Sequence, residues 1–168
     1  MEAVMMVGAT PELALDTEMS LRSQLYRAME QVTWGGARQF SAQLAPFGLT
    51  LQQYFTLVAI QQLNGCTMSA LAGRTHHSFG TMTGIVDRLV RQNFVERQSH
   101  PTDRRVVLVQ LTESGMEILA HIEAMRGAQV DAVLADLGEL QAHHLVRLVS
   151  QYMDAAGIAD ADAASAFA

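Results

Sequence analysis

Six arginines fall within residues 67–112: Arg74, Arg88, Arg91, Arg97, Arg104 and Arg105. Among them stand three small hydroxyl residues, Ser78, Thr81 and Thr83, and two glycines, Gly80 and Gly84. A guanidinium is a flat, permanently charged fork of donors that matches phosphate and base edges. Hydroxyls donate and accept at the same groups, and glycine lets a backbone approach another surface closely. This is the chemistry of gripping a duplex. Bond-making chemistry is much less visible. No Ser/His/Asp set, phosphate-binding glycine loop or metal cluster stands at usable spacing, so an enzyme is not expected, and neither is a cofactor.

The remaining reactive side chains have plain readings beside sharper ones. His76-His77 and His143-His144 are adjacent pairs. Neighbours on a helix point apart, and the i, i+4 spacing useful for zinc is absent, so surface or structural histidine is preferred to a metal site. Cys66 is the single cysteine. It excludes an intrachain disulfide and a cysteine-based zinc cluster. It has no basic neighbour in sequence to lower its pKa and reads as a small loop residue.

Net charge is −6, the wrong sign for a partner of DNA. The distribution alters that impression. Residues 67–112 set their six arginines against Asp87, Glu96 and Asp103, a balance of +3, while the rest of the chain carries −9. A basic segment in an acidic frame focuses anion binding on one face. The chain has no lysine, a bias that suits base and phosphate contacts and that a GC-rich genome also produces. With 168 residues, 49% of them hydrophobic and 17% charged, the chain can bury a core and is most simply one domain. No secretory signal or membrane-length apolar run is visible, so a cytoplasmic protein is expected.

These residues need elements to aim them. From residue 16 to 45 apolar side chains recur at helical spacing (Leu21, Leu25, Met29, Val32, then Ala37, Phe40, Leu44), with a kink or break expected at Gly35-Gly36. Thr50 and Gln53 form a capping box for the next helix, whose buried stripe is expected to be Leu51, Phe55 and Val58 with Leu57. Thr67 caps a short helix and Ser78 caps another. On that last helix Met82, Ile85 or Val86, and Leu89 face inward, which leaves Ser78, Thr81, Thr83, Gly84 and Asp87 on other faces. Residues 94–97 and 106–111 read as strands, joined through the turn residues Ser99 to Asp103. Thr112 is expected to cap a long helix, to about Leu137, with Leu119, Ile122, Val130, Val133 and Leu137 on one stripe. Gly138 ends it, and a final helix starts at Glu139.

The expected fold is mostly α with a small β-hairpin wing, a winged helix-turn-helix. Residues 48–112 form its DNA-binding lobe. Residues 16–47 and 113–156 form a helical region too apolar to stay bare, which most economically packs against a second copy. Residues 1–15 are expected to be a flexible arm and 157–168 a flexible tail.

The chain resembles the MarR family of transcriptional regulators. The resemblance lies in Leu49-Thr50 with Gln53, in Thr67-Met68-Ser69-Ala70-Leu71-Ala72, and in Gly80-Thr81-Met82-Thr83 through Asp87-Arg88-Leu89. It continues in Val95-Glu96-Arg97, in Pro101 with Asp103-Arg104-Arg105, and in Leu111-Thr112 with Gly115. It implies an obligate homodimer on pseudo-palindromic double-stranded DNA, usually a repressor, often released by a phenolic, lipophilic or oxidising signal. By that likeness Arg105 is the wing-tip arginine that enters the minor groove. Asp103 is a positioning residue that holds Arg105 or pairs with Arg88. Arg104 is either a phosphate contact or a solvated charge. Arg74, Arg88 and Arg91 are candidate phosphate contacts, one of them expected to be drawn into an internal pair. Many relatives carry a larger polar residue where Gly84 stands, so wing and shape readout gain weight. Redox sensors of the family hold their cysteine in the first helix, not at the position of Cys66. Trp34, Arg38, Phe40, Tyr54, His76 and Met82 are candidate lining for an aromatic or lipophilic effector. The alternatives are a winged-helix protein-interaction module and a redox- or metal-responsive regulator.

Overall fold

The computed structural model describes residues 20–99 and 106–157. The expected N-terminal arm, the wing tip and the end of the tail lie outside the described residues. Two compact units make up the chain, with the boundary between Thr112 and Glu113.

The first unit opens at Ser20, whose hydroxyl accepts from the Ser23 N–H at 3.3 Å and caps α1 (Leu21–Glu30). The glycine pair does not break this helix. Gln31–Gly35 winds as one π-helical turn, and α2 (Gly36–Leu44) continues from it. Both glycines hold ordinary right-handed helical angles. Their cost of about 1 kcal/mol each is a bias against helix and not a prohibition, and a π-turn takes up the irregularity. The helix ends through a 3-10 turn (Ala45–Phe47) and Gly48 at φ 67°, a left-handed conformation that favours glycine.

Helix α3 (Leu51–Gln62) carries the full capping box: Thr50 Oγ accepts from the Gln53 N–H, and Gln53 Oε1 accepts from the Thr50 N–H. Its buried side differs from the expected stripe. Gln53, Tyr54, Thr56, Leu57, Ala59 and Ile60 are buried, Leu51 and Val58 are half-buried, and Phe55 is 55% exposed. Two polar residues go inside because each is satisfied there. Gln53 uses its amide in the cap and against Gln92, and the Thr56 hydroxyl donates to the Gln52 carbonyl at 2.7 Å.

Asn64 (φ 49°) and Gly65 (φ 86°) turn the chain into a two-residue strand, β1 (Cys66–Thr67). Cys66, expected in a loop, pairs instead with Val109 and is buried. A two-residue strand between a turn and a helix cap is too short to show alternation. Thr67 caps α4 (Met68–Arg74), and Ser78 caps α5 (Phe79–Arg91). Asn93 (φ 60°) then leads into β2 (Val95–Ser99), which pairs antiparallel with β3 (Val107–Leu111) from Val95↔Leu111 to Ser99↔Val107. The sheet order is β1-β3-β2. The core of this unit holds Leu44, Leu57, Ile60, Leu71, Met82, Leu89, Val95 and Val109, all buried.

The second unit is α6 (Glu113–Leu137) and α7 (Glu139–Ala155), parted at Gly138 with φ 73°. Of the expected α6 stripe, Leu119 and Ile122 are buried, Leu137 is half-buried, and Val130 and Val133 are exposed. No residue of α7 is buried, and Leu140 is 85% exposed. Among the described residues no helix is long and apolar enough to cross a membrane.

Candidate nucleic-acid interface

The interface is built on α5. Met82, Ile85, Val86 and Leu89 are buried, a stripe that fixes the roll of the helix. The opposite stripe follows from a 100° step per residue: Gly80, Gly84, Asp87 and Arg91 face out, with Arg88 beside them. Arg88 and Arg91 are exposed in the last turn, where cations also suit the helix dipole. At Gly80 and Gly84 an added Cβ would meet no atom within 4 Å. Nothing among the described residues requires glycine there, yet each costs helix stability.

The hydroxyls at the start of the helix have local partners. Ser78 Oγ accepts from the Thr81 N–H at 3.2 Å and lies 2.9 Å from Thr81 Oγ1. Thr83 Oγ1 donates to the Phe79 carbonyl at 2.8 Å. Each hydroxyl oxygen keeps acceptor capacity for an incoming donor. Arg74, at the end of α4, donates from Nη2 to Gln62 Oε1 at 3.3 Å and is half-buried. It leans on α3, unlike Arg88 and Arg91. Asp103, Arg104 and Arg105 lie outside the described residues.

Two contacts were not foreseen from sequence, one made by Arg97, counted among the arginines but given no role, and one by Gln92. Arg97 of β2 reaches Asp87 of α5, Nη2 to Oδ1 at 2.7 Å. Its signal was alternation: Arg97 lies two residues beyond buried Val95 and so on the same strand face. Gln92, just past α5, accepts from Gln53 Nε2 at 3.1 Å and donates to the Gly48 carbonyl at 2.9 Å. This amide relay ties the end of α5 to the start of α3. Nothing in local sequence marks it, because its partners lie 39 and 44 residues away.

The six candidate effector residues have varied surroundings. Phe40 and Tyr54 meet edge to face, with ring centroids 4.9 Å apart. Tyr54 and Met82 are buried, Arg38 and His76 are exposed, and Trp34 is 75% exposed. A hollow of about 450 Å³ in the first unit is lined by other residues, among them Phe55, Val58, Arg74 and His77. Burial pushes the Cys66 thiol above its ordinary value, away from reactive thiolate character.

The family model for MarR matches residues 49–107, which run from the start of α3 to the start of β3. The HTH-type transcriptional regulator TtmR of Methylorubrum extorquens is 30% identical over 132 residues, 74% of this chain and 68% of that protein. The chain belongs to the MarR family. The HTH-type transcriptional repressor NicR of Pseudomonas putida is 36% identical over 80 residues, 48% of this chain and 51% of that protein. The matched region spans only 49% and 57% of two Bacillus subtilis regulators. These MarR-like relatives are named regulators of transcription, not enzymes. Among solved structures, a mutant MarR from E. coli complexed with operator DNA is 27% identical, with a TM-score of 0.60, covering 80% of this chain and 99% of that one. The fold is thus the winged helix-turn-helix, mostly α with a small antiparallel sheet.

Proposed function

We propose that this MarR-family protein is a homodimeric, sequence-specific DNA-binding regulator of transcription, acting as a repressor in the cytoplasm. The observation that carries this reading is the outward face of α5. Gly80, Gly84, Arg88 and Arg91 stand there on a helix whose opposite stripe is buried, with an antiparallel wing following it in the chain. A helix so presented fits the major groove, and an arginine at 105 on the wing suits the narrower groove. The fold shared with a relative complexed with operator DNA supports it. Ser78, Thr81 and Thr83 serve as hydrogen-bonding groups at base edges or phosphates, Arg88 and Arg91 as phosphate contacts. Repression is supported by the name of NicR.

Dimerisation is supported by what single helices leave bare: Leu21 at 81% exposed, with Leu25 and Tyr26, on α1, and Leu140, Leu145, Val146, Leu148 and Val149 on α7. A small aromatic or lipophilic effector would bind one state of the dimer better and shift its population. Of the six candidates, Phe40 and Tyr54 are the two in ring contact with each other.

The test is selection of duplexes from a random-sequence pool, followed by titration of the enriched site. Wild type is expected to enrich a pseudo-palindrome and to bind it with a steep salt dependence. Retention on heparin without preference for any duplex would instead mark a protein-interaction module.

A further inference from the structure

Asp87 stands where a surface that meets phosphate should carry no acid. It lies on the outward side of α5, seven residues after Gly80 and four after Thr83. A carboxylate there is repelled by a polyanion. Its partner is Arg97, with 2.7 Å between Nη2 and Oδ1. Arg97 belongs to β2, so the pair joins the recognition helix to the wing.

We propose that the Asp87–Arg97 pair is a positioning clamp that holds the wing at a fixed angle to the recognition helix, so that both meet a duplex as one preorganised body. This rests on the DNA-binding reading above. Three observations support it. Beyond buried Val95 every residue of β2 is exposed, so burial holds the strand only at its base. Next to the pair lies a hollow of about 540 Å³, lined by Phe79 and Thr83 of α5 and by Arg97 and Val107 of the wing. Close apolar packing therefore does not fix this stretch, and Arg97, which borders the hollow, is held by Asp87 instead. Finally, Arg97 is registered with Val109 of β3, a strand already anchored by that buried valine and by its pairing with β1, so the pair adds its hold on the outer strand of the wing.

Both partners are partly exposed, at 35% and 45%. Exposed pairs add little to folding stability. The effect belongs in the order of the wing before binding, where preorganisation lowers the cost of association.

The test compares wild type with Asp87→Asn, Arg97→Gln and the double variant. Binding is measured on the duplex that wild type enriches, across a range of salt. Simple electrostatics predicts that Asp87→Asn binds more tightly and that the double variant, with unchanged net charge, binds like wild type. The clamp predicts that both bind about threefold more weakly for each engaged protomer, about tenfold for two, at the wild-type salt slope. Hydrogen exchange on the DNA-free proteins supplies a second arm. Amides of β2 and β3 are expected to exchange faster in Asp87→Asn, while the thermal midpoint stays within about 2 °C of wild type. Tighter binding by Asp87→Asn, wild-type affinity in the double variant, or unchanged wing exchange overturns the clamp. So does a salt slope reduced by about one in Arg97→Gln, which marks a phosphate contact instead. If wild type enriches no duplex, the DNA-binding reading fails, and the exchange arm alone decides whether the wing is held.

Discussion

Helices α5 and α7 show two ways of using an apolar stripe. On α5 the stripe of Met82, Ile85, Val86 and Leu89 is buried within its own unit, and small or cationic residues face out. On α7 no residue is buried, and Leu140, Leu145, Val146, Leu148 and Val149 are exposed. The first helix is complete in one chain and offers an outward face to something polar and anionic. The second is incomplete alone. Burying a Val or Leu side chain is worth about 1.5–3 kcal/mol, so a bare set of this size calls for a covering surface. The proposed dimer would supply one and would set two copies of α5 to work together.

Substitutions can break or sharpen this contrast. The largest effect is expected from Leu145→Glu combined with Val149→Glu on α7. Sedimentation should show the dimer shifting to monomer, with operator affinity falling at least about 100-fold because two half-sites no longer act together. A dimer of wild-type strength would remove α7 from the interface. On α5, Leu89→Ala should cost about 2–5 kcal/mol in chemical denaturation, since Leu89 is fully buried. Arg105→Ala should leave stability alone and weaken DNA binding by about 1–3 kcal/mol in a gel shift. Gln92→Ala should cost about 0.5–1.5 kcal/mol of stability, because the part-buried Gln53 amide and the exposed Gly48 carbonyl lose a partner. The smallest effect concerns Cys66. Its folded-state pKa is raised above the ordinary 9.0 by burial. The neutral thiol is thus favoured in the fold, its contribution is fully present below pH 9.0, and it is lost as pH rises through the folded value. Denaturation of Cys66→Ser across that range should lack this part of the pH dependence.

The sequence made the caps and turns most legible. Thr50 with Gln53, Thr67, Ser78 and Gly138 each stand where a helix begins or a chain turns, because these residue types act on the backbone within a few positions. The buried stripe of α5 was legible for the same reason: its apolar spacing is clean. Long-range features were not. The inside of α3 was misjudged because Gln53 and Thr56 are satisfied by partners that hydropathy ignores. The strand at Cys66 depends on a register with Val109, 43 residues on. The Gln92 relay and the Asp87–Arg97 pair likewise depend on which elements the fold brings side by side. At the glycine pair, where a kink or break was expected, the helix is not broken, and the irregularity takes the form of a π-turn ending at Gly35.

Hydroxyl-radical footprinting of the enriched duplex tests most directly whether two copies of α5 and the wing read DNA together. Two equivalent protected patches roughly 10 bp apart on one face of the helix are expected, each flanked by minor-groove protection that disappears in Arg105→Ala. A single patch, protection without periodicity, or no loss in the Arg105 variant would contradict the paired arrangement.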